Sequence, residues 1–162
     1  MRKSDICLSL VKTATLLVLL LFMLQVPAAA EESPIRINKA IFVSEASGFG
    51  IYEKEENNHF LSGSKTSVYL EIENFSVKQG EEKFTTDIQA KLDVFNDKNE
   101  VVFTSEKVFK MKNELKSRRK DLSFKVPLDF SKWKTGRYTL TITVRDNIRE
   151  QEDSANLPLE IF

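Results

Sequence analysis

Between residues 84 and 94 every second side chain is apolar or small, and the intervening ones are polar. Phe84, Thr86, Ile88, Ala90, Leu92 and Val94 point one way, while Thr85, Asp87, Gln89, Lys91 and Asp93 point the other. Period two is the repeat of a half-buried β-strand, because successive side chains leave opposite faces of the pleat. The pattern recurs. Val68, Leu70 and Ile72 oppose Glu71 and Glu73, Leu122, Phe124 and Val126 oppose Ser123 and Lys125, and Tyr138, Leu140, Ile142 and Val144 oppose Thr139, Thr141 and Thr143. Leu157, Leu159 and Ile161 alternate with Pro158 and Glu160. With 35–43 and 101–109 added, about seven strands are expected, each with one apolar face. Such strands bury that face only if two sheets pack face to face. The expected fold is all-β: an antiparallel immunoglobulin-like β-sandwich. Glu71 and Glu73 are then expected on a solvent face, and 113–120 is expected to hold at most a helical turn.

Turn chemistry supports this layout. Asn96-Asp97-Lys98-Asn99 reads as a hairpin connection, and Lys78-Gln79-Gly80 as a loop. In Trp133-Lys134-Thr135-Gly136-Arg137-Tyr138 a glycine precedes a long strand and a tyrosine follows two residues later. This resembles the tyrosine corner of immunoglobulin-like domains, whose phenol ties back to upstream backbone. Pro158 lies inside the last strand without an N–H to donate, so it is expected at an open edge or a bulge. An outer-membrane barrel is rejected on parity, since Phe162 lies on the face opposite Leu157, Leu159 and Ile161.

The N-terminus carries a different signal. Arg2, Lys3 and Lys12 precede an unbroken apolar run over 16–24, and Ala28-Ala29-Ala30 supplies small residues beside a scissile bond. The run is too short to span a bilayer, and the order of parts is that of a secretory signal peptide. Residues 1–30 are therefore expected to form a signal-peptide helix cleaved after Ala30, leaving 31–162 as one exported domain without a transmembrane segment. Its destination would be the periplasm or the medium. Cys7, the single cysteine, leaves with the signal peptide. Residues 1–30 also carry Arg2, Lys3, Lys12 and Asp5, so 21 basic groups remain against 23 acidic ones, a net −2. That balance and the export signal argue against nucleic acid as a partner.

The search for chemistry returns little. Nucleophilic catalysis needs an activated Ser, Cys or Lys beside a base. His59 is the single histidine, no cysteine follows Cys7, and no serine sits in a nucleophile-elbow context. One histidine without a thiolate does not make an ordinary zinc site. Asp146, Glu150, Glu152 and Asp153 offer oxygen ligands for calcium in a hairpin loop, yet lack a loop signature. They read as a solvated tip. No catalytic residue, metal site or cofactor is assigned.

Two surfaces are left as candidates for binding. Over 107–125 there are eight basic residues and two acidic ones, and Arg118, Arg119 and Lys120 present cations suited to carboxylates or phosphates. The other is the stretch 44–64, read as a structureless connection bearing Phe49, Tyr52, His59 and Phe60, with Gly48 and Gly50 to relax the backbone. Each has a structural alternative: charges that keep a loop soluble, and aromatics that fold back onto the domain.

Several segments together resemble an uncharacterised family of secreted or envelope proteins in Gram-negative bacteria: Gly48-Phe49-Gly50-Ile51-Tyr52, Phe60 with Gly63, Val68 through Phe75, Ser117-Arg118-Arg119-Lys120-Asp121, and Gly136-Arg137-Tyr138-Thr139-Leu140. The resemblance implies export and an immunoglobulin-like, fibronectin-III-like domain, and carries no functional residues. The leading expectation is a non-enzymatic binding or interaction module of the cell envelope, meeting a protein or an anionic envelope component. Alternatives are a self-associating structural domain, in which 107–125 meets the acidic 146–153 hairpin of a neighbour, and an enzyme with a dispersed carboxylate site.

Overall fold

The alternating segments are strands. In the computed structural model, which describes residues 33–115 and 121–162, ten strands run in chain order. They are β1 (Arg36–Gly48), β2 (Ile51–Lys54), β3 (His59–Phe60), β4 (Lys65–Glu73), β5 (Lys78–Gln79), β6 (Phe84–Asn96), β7 (Val101–Leu115), β8 (Asp121–Asp129), β9 (Gly136–Asp146) and β10 (Gln151–Ile161). The signal-peptide segment 1–30 and the basic trio Arg118, Arg119 and Lys120 lie outside the described residues. Among the described residues no helix is long and apolar enough to cross a membrane.

Two sheets form. One has the order β2-β1-β4-β8, and the other runs β3-β10-β9-β6, with β7 on the far side of β6 and β5 continuing beside β6 past the end of β9. The chain crosses between sheets from β4 to β5 and β6, returns from β7 to β8, and crosses again from β8 to β9. That is the connectivity of an immunoglobulin-like sandwich. Every ladder is antiparallel except the short one between β3 and β10.

The inner faces supply the core. Phe42, Val68, Leu70, Ile72, Phe124 and Val126 of one sheet meet Ile88, Ala90, Val94, Leu140, Ile142 and Val144 of the other. Each large aliphatic so buried contributes roughly 1.5–3 kcal/mol against exposure, which is why the alternation decides the fold. The corner forms as expected: the Tyr138 hydroxyl donates to the Lys134 carbonyl at 2.9 Å. Pro158 also sits at a free edge. The N–H groups of Glu160 and Phe162 donate to Asn58 and Phe60 of the β3 segment, so the same side of residue 158 lies just beyond that strand.

Four expectations are corrected. Lys78 and Gln79, expected in a loop, form β5 paired with Thr85 and Phe84 of β6. The stretch 44–64 is not structureless: β1 runs on to Gly48, and β2 and β3 follow. Residues 113–115 continue β7 as strand, paired with β6, instead of starting a helical turn. Glu71, expected in solvent, is 4% exposed. Alternation reports which face a side chain takes, and here the outer face is itself covered.

Candidate binding site

The cover is the β1–β2 hairpin. Register shifts between Val43 and Glu45 and between Ala46 and Gly48 mark bulges, which add twist and re-aim a strand. Gly50, at φ +71°, takes the left-handed turn that other residues resist. The turn reaches Tyr69 on the outer face of β4, which is 1% exposed. Its hydroxyl accepts the Gly50 N–H at 2.9 Å and stands 3.1 Å from the Gly48 carbonyl and 3.0 Å from Glu71 Oε1, either of which takes its proton. Lys39 Nζ donates to the Tyr52 hydroxyl at 2.8 Å and lies 3.7 Å from Glu71 Oε2. The bond to Tyr52, aided by the Glu71 charge against desolvation, holds the Lys39 amine above its ordinary pKa. Tyr69→Phe is expected to cost about 1–2 kcal/mol and to free the hairpin. Hydrogen exchange at the Gly50 amide should accelerate while core strands stay protected. Unchanged protection at Gly50 would refute the latch.

The aromatic candidates therefore separate. Tyr52 packs on Tyr69 with ring centroids 4.9 Å apart. Phe60, 7% exposed, lies in the core between Phe42 and Phe130. Phe49 remains exposed at the hairpin tip, and exposed His59 stands 3.8 Å from Glu160 on β10. A groove of about 380 Å³ does run past His59, Arg137 and Glu160. Arg137 also lies 3.8 Å from Glu160, so this carboxylate is shared between His59 and Arg137 of the groove wall. The four acidic residues weighed for calcium are dispersed in role: Asp146 is buried, and Asp153 accepts the Ile37 N–H at 2.7 Å, tying β10 to β1. Among the described residues no group of three His, Cys, Asp or Glu side chains is placed to hold a metal ion.

A larger concavity opens between the sheets, where β7 and β8 are both edge strands among the described residues. The six-stranded sheet is the wider, so β7 overhangs β8. Opposite Lys91 alone, β7 carries three residues, Glu106, Lys107 and Val108, because Ala90 pairs with Phe109 and Leu92 with Ser105. Above this bulge, Phe109 stacks on Phe124 at 3.9 Å and 7°, closing the gap. Below it a cleft of about 490 Å³ remains, lined by Leu92, Phe103, Val108, Pro127, Leu128 and Trp133. It continues past Phe103 and Trp133 into a groove of about 640 Å³ bordered by Lys98, Lys132 and Lys134. Volumes of this order suit small ligands.

The cleft is built on fixed parts. The Trp133 ring meets Phe130 edge-on at 5.0 Å and Tyr138 at 5.1 Å, and the backbone N–H of Trp133 donates to the Phe130 carbonyl. Phe103 is 50% exposed although it sits on the inner face opposite buried Val94, because the facing sheet ends at β8. At the mouth, the N–H and hydroxyl of Ser131, with a smaller contribution from Lys65, hold Asp129 below the usual carboxylate range. By contrast, no carboxylate of the described residues lies within 4.0 Å of Lys98, Lys132 or Lys134.

The sequence held two signals of this site. Val101-Val102-Phe103 breaks the alternation with three consecutive apolar residues, and Trp133 stands between Lys132 and Lys134. What it did not display is the difference in sheet width that leaves these residues open.

Comparison with known proteins supports the architecture. No protein-family model matches the chain, and no curated protein matches it. Among solved structures, a Niemann-Pick type C2 protein from the Japanese carpenter ant superposes with a TM-score of 0.51. The identity is 14%, over 82% of this chain and 96% of that one. An immunoglobulin-like protein from Pseudomonas aeruginosa gives 0.39 at 12% identity, over 82% and 100%. A family 123 glycoside hydrolase from Clostridium perfringens gives 0.43 at 9% identity over 64% of this chain, which spans only 22% of that enzyme. At such identities the likeness concerns the β-sandwich fold alone.

Proposed function

We propose that the chain is an exported, non-enzymatic binding module of the bacterial cell envelope, and that its contact surface is the cleft between β7 and β8. The observation that carries this reading is the cleft itself: a half-exposed Phe103 and an anchored Trp133 over a finished core, beside three lysines that have no carboxylate within 4.0 Å among the described residues. Rigid aromatic anchors in a concavity are the usual source of binding energy. Export rests on the basic, apolar and small-residue sequence of 1–30, with cleavage after Ala30. The family resemblance in the sequence points the same way.

The non-enzymatic part rests on how the polar groups are used. Glu71 and Asp146 are buried and committed to hydrogen bonds that hold turns in place, and His59 faces Glu160 on an open surface. Self-association through the 146–153 hairpin is disfavoured, because Asp146 and Asp153 are committed inside the molecule.

Two measurements test this. N-terminal sequencing of the protein recovered from an envelope fraction is expected to begin at Glu31. Immobilised protein is expected to retain an envelope component that Phe103→Asp fails to retain, with the fold intact because Phe103 is half exposed. Identical retention by both proteins would remove the cleft from the proposal, and an N-terminus at Met1 would remove export.

A further inference from the structure

We propose that the cleft takes a single-chain amphiphile with an anionic head group, its tail between the sheets and its head at Lys98, Lys132 and Lys134. This rests on reading the cleft as the binding surface and names the ligand class. The tail argument is one of lining. Leu92, Phe103, Val108, Leu128 and Trp133 present carbon, and Ser105 is the polar side chain among the β7 residues lining the deep part. Apolar surface kept half open in this way is stabilised by an apolar occupant that displaces water.

The shape argues for one chain entering tail first. The Phe109–Phe124 stack closes the cleft further up both strands, so the cleft is blind at that end and open toward the β6–β7 turn. A peptide adding as a β-strand fits poorly. Pro127 removes an N–H from β8, and the bulge at 106–108 breaks the register of β7. Head-group sign follows from the rim. Lys98, Lys132 and Lys134 share it with Asp97 and Asp129, and Asp129 is already held by Ser131 and Lys65. The remaining cations favour carboxylate, phosphate or sulfate.

Trp133 is the single tryptophan of the chain and forms one wall, so its emission reports occupancy directly. The protein recovered from the envelope would be titrated below micelle formation with dodecanoate, dodecyl phosphate, dodecyl maltoside and dodecyltrimethylammonium. Butyrate would serve as a head group without a tail. The expected result is a blue shift of Trp133 with both anionic C12 compounds. They should bind about tenfold more tightly than the neutral one, the sum of a few exposed charge pairs. Butyrate should leave the emission unchanged. Lys132→Glu/Lys134→Glu should lose the preference for anions yet still bind dodecyl maltoside, and Ser105→Phe should block all C12 compounds by filling the cleft. Should Ser105→Phe fail to fold, the lysine pair alone decides.

Equal affinity for the anionic and cationic compounds, or no response of Trp133 to any of them, would overturn the proposal. If the amphiphiles fail while Phe103-dependent retention of an envelope component persists, the ligand class is wrong and the cleft remains the contact surface. If both fail, the cleft reading falls with it.

Discussion

Replacing Asp146 with alanine is expected to cost about 3–5 kcal/mol of folding stability, a large share of what a domain of this size possesses. The side chain falls on the inward parity of β9, two residues past Val144, and is fully buried. A carboxylate there is tolerated because its oxygens are occupied. Oδ2 accepts the Ser76 N–H at 2.6 Å, and Oδ1 accepts the N–H groups of Ile148 at 2.9 Å and Arg149 at 3.4 Å. Arg149 Nε stands 3.7 Å from Oδ2, and the same guanidinium donates to the carbonyls of Ser33 and Asn74. One carboxylate thus fastens the β9–β10 turn to the segment after β4. Alanine strands the buried Ser76 N–H away from water at a cost of about 1–3 kcal/mol, releases the Ile148 N–H at the turn, and removes the counter-charge of Arg149. Asp146→Asn keeps one oxygen acceptor and should recover part of the loss. Urea denaturation measures both, and a cost below about 1 kcal/mol for alanine would show that the turn is held by other contacts.

Asp146 owes its burial to contacts that no local sequence rule encodes. Its position in a charged hairpin suggested a solvated tip, since nothing nearby in sequence indicates that Ser76 closes over it. Glu71 failed in the same way. Alternation assigned its face correctly, but the cover over that face comes from a hairpin bent by two bulges, and bulges leave no periodic trace. By contrast, the seven long strands, the tyrosine corner and the edge position of Pro158 were legible. Each follows from a local rule: side-chain period, turn chemistry, a missing N–H. Phe60 falls in 44–64, which as a structureless, aromatic-bearing connection is expected to be a binding loop. The structure instead inserts it between Phe42 and Phe130 through a two-residue strand, too short to leave a pattern. The cleft depends on relations between elements far apart in the chain, so its residues were visible singly and not as a site.

Phe130→Ala is the second large expectation, and it links the core to the cleft. Phe130 is fully buried, with its ring 5.2 Å from Phe60 and 5.0 Å from Trp133. Its backbone is equally engaged: its N–H donates to the Ser64 carbonyl, and its carbonyl accepts from Gly63 and Trp133. Truncating a buried phenylalanine to alanine costs about 3–5 kcal/mol through lost transfer energy and an unfilled cavity. For a domain of this length that corresponds to roughly 10–20 °C in Tm. The change is expected to do more than destabilise, because the ring removed is one of two that brace Trp133. Trp133 should become more mobile and its emission should shift to the red in the still-folded protein. Binding in the cleft should weaken although residue 130 itself does not line it. Phe103→Asp makes the opposite case, weakening binding with little cost in Tm because Phe103 is half exposed. A Phe130→Ala protein that loses stability while Trp133 keeps its emission and the cleft its affinity would show that Tyr138 alone positions the indole.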